Sequence, residues 1–168
     1  MPGGPFAHVC LLVKDLEQSI ENWTKILSVF DPGQLERQIV RQRWESGDDV
    51  MEVATFVNPN GCEIQLLSPV NDEGPVARRL AKYGEGVHHL YFTHRDLPQA
   101  VEELDGQGIK LAGKELASDA EMPWQAWTFV SPESSGGIFV ELAYPYDPVD
   151  GKWEPGYDVA ATGPAGAS

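Results

Sequence analysis

The chain has 168 residues, of which 42% are hydrophobic and 10% aromatic, enough for one compact domain or two small fused halves. Its 26 acidic and 12 basic side chains leave a net charge of −14. That balance argues against nucleic acid and anionic membranes as partners. No apolar run approaches the ~20 residues of a membrane helix. Met1 to Pro5 carries no basic or apolar stretch of secretory type, and Cys10 and Cys62 do not make a disulfide framework. Both point to a reducing, cytoplasmic setting, with the cysteines packed as small hydrophobes.

In chain order, Val9 to Val13 is apolar and β-branched-rich and predicts a buried strand. Asp15-Leu-Glu-Gln18 has the form of a capping box, with Asp15 as N-cap and Gln18 reaching back. Leu16, Ile20, Trp23 and Leu27 follow at helical spacing. Residues 36–45 predict a second strand, Val50 to Val57 a third, and Gly61 to Pro69 a fourth closed by proline. The segment 70–86 reads as a linker with a short helix around Val76 to Lys82.

The order then begins again. Val87 to Glu102 repeats Phe6 to Glu21 at an offset of 81, so that His8 falls on His89, Asp15 on Asp96 and Gln18 on Gln99. Such self-similarity fixes architecture before any local assignment. The second copy predicts a strand His89 to Thr93, a capped helix with Leu97, Val101 and Leu104 on one face, and an end at Gly106 and Gly108. Residues 109–116 supply the extra strand. Ala54 to Pro59 matches Trp127 to Pro132 at an offset of 73, and Gly61 to Pro69 matches Gly137 to Pro145 at 76. The expected fold is α+β: two paired βαβββ modules, 6–69 and 87–145, forming a curved mixed sheet around a metal site. Residues 146–168 read as a C-terminal extension with a disordered end.

The repeat also selects side chains. It pairs His8 with His89 on the first strands and Gln65 with Glu141 on the last strands, where the neighbours are apolar. A Gln and a Glu in such runs are costly unless satisfied. A shared metal satisfies all four, and imidazole nitrogens with carbonyl and carboxylate oxygens suit a divalent ion of the Co, Mn, Ni, Fe or Zn type. The same alignment places Glu52 on Gln125. If Glu52 faces inward it is a candidate general base, and if outward it is a solvated strand residue. Trp44, Trp124 and Trp127, with Gln125, flank the expected cavity and are candidate pocket residues. His88 precedes a ligand and is expected on the other strand face. Arg78, Arg79 and Lys82 form a small basic cluster, read mainly as a solvated helix face.

On these residues the chain resembles the vicinal oxygen chelate (glyoxalase, bleomycin resistance and dioxygenase) superfamily over residues 6–145. Within it, Gln65 to Glu73, Val76 to Lys82, Gly86-Val-His-His89 and Ser135 to Leu142 are most similar to the methylmalonyl-CoA epimerases. The resemblance implies His8, Gln65, His89 and Glu141 as metal ligands, Glu52 as a catalytic carboxylate and Glu141 as the second acid/base group. It implies a metal-dependent epimerase or isomerase that moves a proton next to a carbonyl through a stabilised enolate. The partner would be a small carbonyl substrate, such as an acyl-CoA, and the assembly a homodimer. The chain departs from the epimerase pattern at Ala120 to Trp124 and Ser131 to Glu133, where aromatics and an acid replace a glycine turn and a lysine. The substrate is therefore left open, and an extradiol dioxygenase, a glyoxalase-like lyase and a drug-binding resistance protein remain as alternatives.

Overall fold

A computed structural model describes residues 6–59, 61–113 and 115–157. The elements run β1 (Phe6–Leu12), α1 (Leu16–Phe30), β2 (Val40–Ser46), β3 (Asp49–Phe56), β4 (Glu63–Pro69), α2 (Pro75–Tyr83), β5 (Gly86–Thr93), α3 (Leu97–Gly106), β6 (Ala117–Ser118), β7 (Ala126–Val130), β8 (Phe139–Ala143), β9 (Tyr146–Val149) and β10 (Lys152–Pro155). The first eight strands form one curled mixed sheet in the order β2-β3-β4-β1-β5-β8-β7-β6. β1 is parallel to β4 and β5 to β8, while β1 and β5 meet antiparallel at the centre. Each half is thus one copy of the repeat, and the halves join through the two strands that carry His8 and His89. No helix of the described residues is long and apolar enough to cross a membrane.

The helices form where caps and periodicity agree. Asp15 accepts the Gln18 backbone N–H at 2.9 Å, and Asp96 that of Gln99 at 3.0 Å. The reciprocal half of the expected capping box is not made. The Gln18 amide instead bonds Asn22 Oδ1 at 3.3 Å, and that of Gln99 bonds Glu103 at 2.8 Å. A forward i,i+4 bond on the exposed helix face takes the amide that would otherwise turn back. α1 lays Leu16, Ile20, Trp23 and Leu27 on Ala54, Phe56 and Leu66 of the sheet. Removing a fully buried leucine such as Leu66 costs about 2–5 kcal/mol.

The other sheet face carries Cys10, Leu12, Val53 and Leu67, which α2 covers through Val76 and Leu80. Asp49 at the start of β3 fixes that helix, its Oδ1 accepting the Val76 N–H at 2.9 Å. The approach is so close that a Cβ on Gly74 would lie 2.0 Å from Asp49 Oδ1, which explains glycine there.

One expectation changes. Among the described residues of 109–116 there is no regular strand, only the bridge Leu111 to Val130, and the short edge strand β6 follows at 117–118. The extension after residue 145 begins with an antiparallel hairpin of β9 and β10. The part of it expected to be disordered lies outside the described residues.

Candidate active site

The cavity opens on the concave face and encloses about 390 Å³. Strand register places its polar floor. In β1 and β4, Cys10 stands opposite Gln65, and in β5 and β8, Tyr91 stands opposite Glu141. Each oxygen-bearing residue therefore lies two positions beyond its histidine in the partner strand's register. Across the central pair, His8 opposes Tyr91 and Cys10 opposes His89, the same relation read from either half. Period-two alternation then turns His8, His89, Gln65 and Glu141 to one face.

The result is a compact cluster. His8 Nε2 lies 3.2 Å from His89 Nε2, which lies 3.1 Å from Glu141 Oε2. The three residues are only 3%, 6% and 7% exposed. Burial lowers His8 to about 3 and pushes Glu141 up to about 8. His89 is held well below its usual value by burial, then by His8 and His88. Both rings are therefore neutral, and the His89–Glu141 contact is not a salt bridge between opposite charges. Gln65 lines the same cavity, and its amide nitrogen donates to Thr55 Oγ1 at 3.2 Å. That bond occupies the amide nitrogen and leaves the carbonyl oxygen as the atom that could face a cation.

The hydrogen-bond partners assign the tautomers. The Tyr146 hydroxyl donates to Glu63 Oε2 at 2.7 Å and lies 2.9 Å from His8 Nδ1. Burial pushes Glu63 up to about 7; when Glu63 is ionised the hydroxyl's proton goes to it, the hydroxyl accepts from His8 Nδ1–H, and His8 Nε2 carries a lone pair. On the other side His89 Nδ1 meets His88 Nδ1 at 2.9 Å. When His89 donates there, both Nε2 atoms and the Glu141 carboxylate converge as acceptors. Such a set fits a divalent cation, which would restore the charge that burial denies to Glu141. Cys10, His88 and His89 also have ligand atoms within 4.8 Å of one another. Burial holds the Cys10 thiol protonated, and a thiol is not the ligating form.

The walls are aromatic. Trp44, Trp124, Trp127 and Gln125 all line the cavity, and Trp44 packs on Trp127 at 5.0 Å between ring centres. The Trp44 indole N–H has no acceptor among the described residues, which leaves a donor at the wall. Gln125 is fully engaged with Tyr91, Tyr144 and Ala126, so it frames the wall and offers no free polar atom. Among the described residues, Arg79 is the one Lys or Arg side chain on the lining; it donates to Gly137 O and lies over Phe139.

Glu52 is not brought to the cavity. Its side chain is 49% exposed and faces Arg43 at 3.8 Å. The reason is a one-residue slip in the sequence alignment of the third strands. Thr55 opposes Gln65 and Phe129 opposes Glu141, an offset of 74 where the residue types match at 73. In the true register Met51, not Glu52, is the counterpart of Gln125. A slip of one residue sends every side chain to the opposite face. β3 shows Asp49, Met51 and Val53 to the cavity.

His88 also departs from expectation. Between Cys10↔His89 and Leu11↔Val87 the ladder of β1 and β5 carries one extra residue, His88. This bulge turns His88 into the cavity beside His89, buried instead of on the far face. Burial, then Arg79, lowers it to about 4. Sequence reasoning misses Glu63 and Tyr146. The available signal is a Glu in an apolar strand, aligned by the repeat with Phe139.

The sequence profile of the Glyoxalase/Bleomycin resistance protein/Dioxygenase superfamily matches residues 7–128. Mitochondrial methylmalonyl-CoA epimerase of Bos taurus is 28% identical over 142 residues, covering 83% of this chain and 73% of that protein. The uncharacterized protein YqjC of Bacillus subtilis is 28% identical over 90 residues, 54% of this chain, which spans 63% of its length. Methylmalonyl-CoA epimerase from Mycobacterium tuberculosis superposes with a TM-score of 0.66 at 24% identity, covering 86% of this chain and 89% of that one. A Streptomyces coelicolor methylmalonyl-CoA epimerase variant in complex with 2-nitronate-propionyl-CoA gives 0.62 at 21%, covering 84% and 96%.

Proposed function

Because the chain belongs to the Glyoxalase/Bleomycin resistance protein/Dioxygenase superfamily, we propose that it is a metal-dependent epimerase-like enzyme moving a proton next to the carbonyl of an acyl-CoA or related acid. The observation that carries this reading is the convergence of His8 Nε2, His89 Nε2 and Glu141 Oε2 at the floor of an apolar cavity. The bovine and mycobacterial relatives support it, and they favour it over the dioxygenase, lyase and drug-binding alternatives.

His8, His89, Glu141 and the Gln65 oxygen would hold the ion. When bound, it supplies positive charge where the oxygen of a forming enolate becomes negative. The remaining work belongs to the chain. Arg79 at the wall pairs with the substrate's anionic group. The tryptophans exclude water and seat the acyl substituent, and their bulk limits its size. Glu141, beside the ion, exchanges a proton on the side of β8. Asp49 is the other carboxylate on the cavity wall, presented from β3 in place of Glu52. Wash-in of solvent deuterium needs one such group, and inversion needs two.

The test is deuterium incorporation from D2O into methylmalonyl-CoA and into acyl-CoAs with larger 2-substituents, with and without added Co(II). Metal-dependent exchange into at least one of them is expected. Failure of all of them with the metal-loaded protein rules the reading out.

A further inference from the structure

The hairpin that follows β8 is bound into the site. Its first residue, Tyr146, is buried, and Trp153 from β10 packs edge-on against it at 4.5 Å. Trp153 also donates its indole N–H to Gln42 of β2 at 2.8 Å, and Gly156 closes back on Pro145 O at 2.9 Å. The hairpin thus clamps Tyr146 between the two halves of the sheet.

We infer that Tyr146, anchored by Glu63, is a positioning residue that fixes His8 as its Nδ1–H tautomer and so presents Nε2 to the metal site. This rests on the metal reading proposed above. The geometry is a buried chain of three groups: Glu63 Oε2 to Tyr146 OH at 2.7 Å, then Tyr146 OH to His8 Nδ1 at 2.9 Å. Glu63 reaches it because β4 sets it directly opposite His8. A hydroxyl has one proton and two acceptor sites. When Glu63 is ionised it takes that proton, and the only bond then open to His8 is one in which the ring donates. Orientation of a ligating imidazole through its second nitrogen is how outer partners tune a metal site.

The arrangement breaks the symmetry of the fold. The counterpart of Glu63 opposite His89 is Phe139, which has no polar side-chain atom to give. His89 takes its partner from the bulge residue His88. The two histidines share one role in the repeat but are held by different means. The device at His8 depends on a segment that lies beyond both repeats.

Two measurements test this on the full chain. The first is two-bond 1H–15N correlation NMR of the metal-free protein, which reads imidazole tautomers directly. At alkaline pH, where Glu63 is ionised, His8 is expected as Nδ1–H in the wild type; finding it as Nε2–H there overturns the inference without any variant. The second compares Tyr146→Phe with wild type by chelator competition for Co(II) or Zn(II), with folding checked by circular dichroism. A folded Tyr146→Phe should lose the single tautomer and bind metal about 10- to 100-fold more weakly. An unchanged tautomer, or an affinity unchanged within about threefold of the wild type, overturns it. A wild type that binds no divalent metal defeats the metal reading instead, and the tautomer result still decides the role of Tyr146.

Discussion

His8 and His89 stand 81 positions apart in the chain, yet their Nε2 atoms lie 3.2 Å from each other. Two antiparallel strands at the centre of the sheet bring them together, and neither ring is in a state to carry charge. Two neutral imidazoles and a buried carboxyl at such range invite a cation. A ligand that binds only the folded state stabilises it by about 4 kcal/mol at a thousandfold excess over its Kd. Adding Co(II) or Zn(II) to metal-free protein should therefore raise the melting temperature measured by calorimetry, and a chelator should reverse the rise. His89→Ala should show no metal-dependent shift.

Glu52 and Glu141 should behave oppositely. Glu52→Gln alters an exposed side chain whose nearest basic partner is Arg43, so stability should move by no more than about 0.5 kcal/mol and deuterium exchange should stay at the wild-type rate. Glu141→Gln should reduce exchange by about 100-fold or more. Exchange kinetics in D2O check both, and loss of exchange in Glu52→Gln would contradict the register of β3 against β4, which turns Glu52 away from the cavity.

Arg79 should act in binding. Replacing it with Gln keeps a polar side chain but removes the positive charge it brings to the lining. A charge-assisted hydrogen bond is worth about 1.5 kcal/mol, or about tenfold in KM for an anionic substrate. Steady-state kinetics should show KM raised and kcat nearly unchanged. The wild-type KM should rise with salt, and that of Arg79→Gln much less.

Trp127 should set the room available to the substituent. It is buried against Trp44, Tyr91 and Tyr146, and truncation to Ala should cost about 3–5 kcal/mol of stability. Denaturant unfolding checks that figure. Among variants that stay folded, Trp127→Phe should shift preference toward bulkier acyl groups, read as the ratio of kcat/KM between two substrates.

Much of this molecule is legible in its sequence because duplication writes the same pattern twice. The strands β1 and β5, the capped helices after them and the pairing of Gln65 with Glu141 all follow from one alignment. The third strands mislead because Ala54-Thr-Phe-Val and Trp127-Thr-Phe-Val match in residue type but not in register. Hydrogen-bond register, set by opposition to β4 and β8, is not written in residue identity. His88 escapes for a related reason: alternation assumes an unbroken ladder, and a bulge interrupts it. Tyr146 lies beyond the repeat, where no second copy can flag it. Glu63 has a counterpart, and its replacement there by Phe139 is the visible trace of a role held in only one half.

The most direct test of the metal site is the metal content of the purified chain after reloading with Co(II), Mn(II) or Zn(II), measured by elemental analysis beside His8→Ala and Glu141→Ala. About one ion per chain is expected in the wild type and close to none in either variant. A wild-type chain that retains no ion, or variants that retain as much as it does, would contradict the convergence of His8, His89 and Glu141 on a cation.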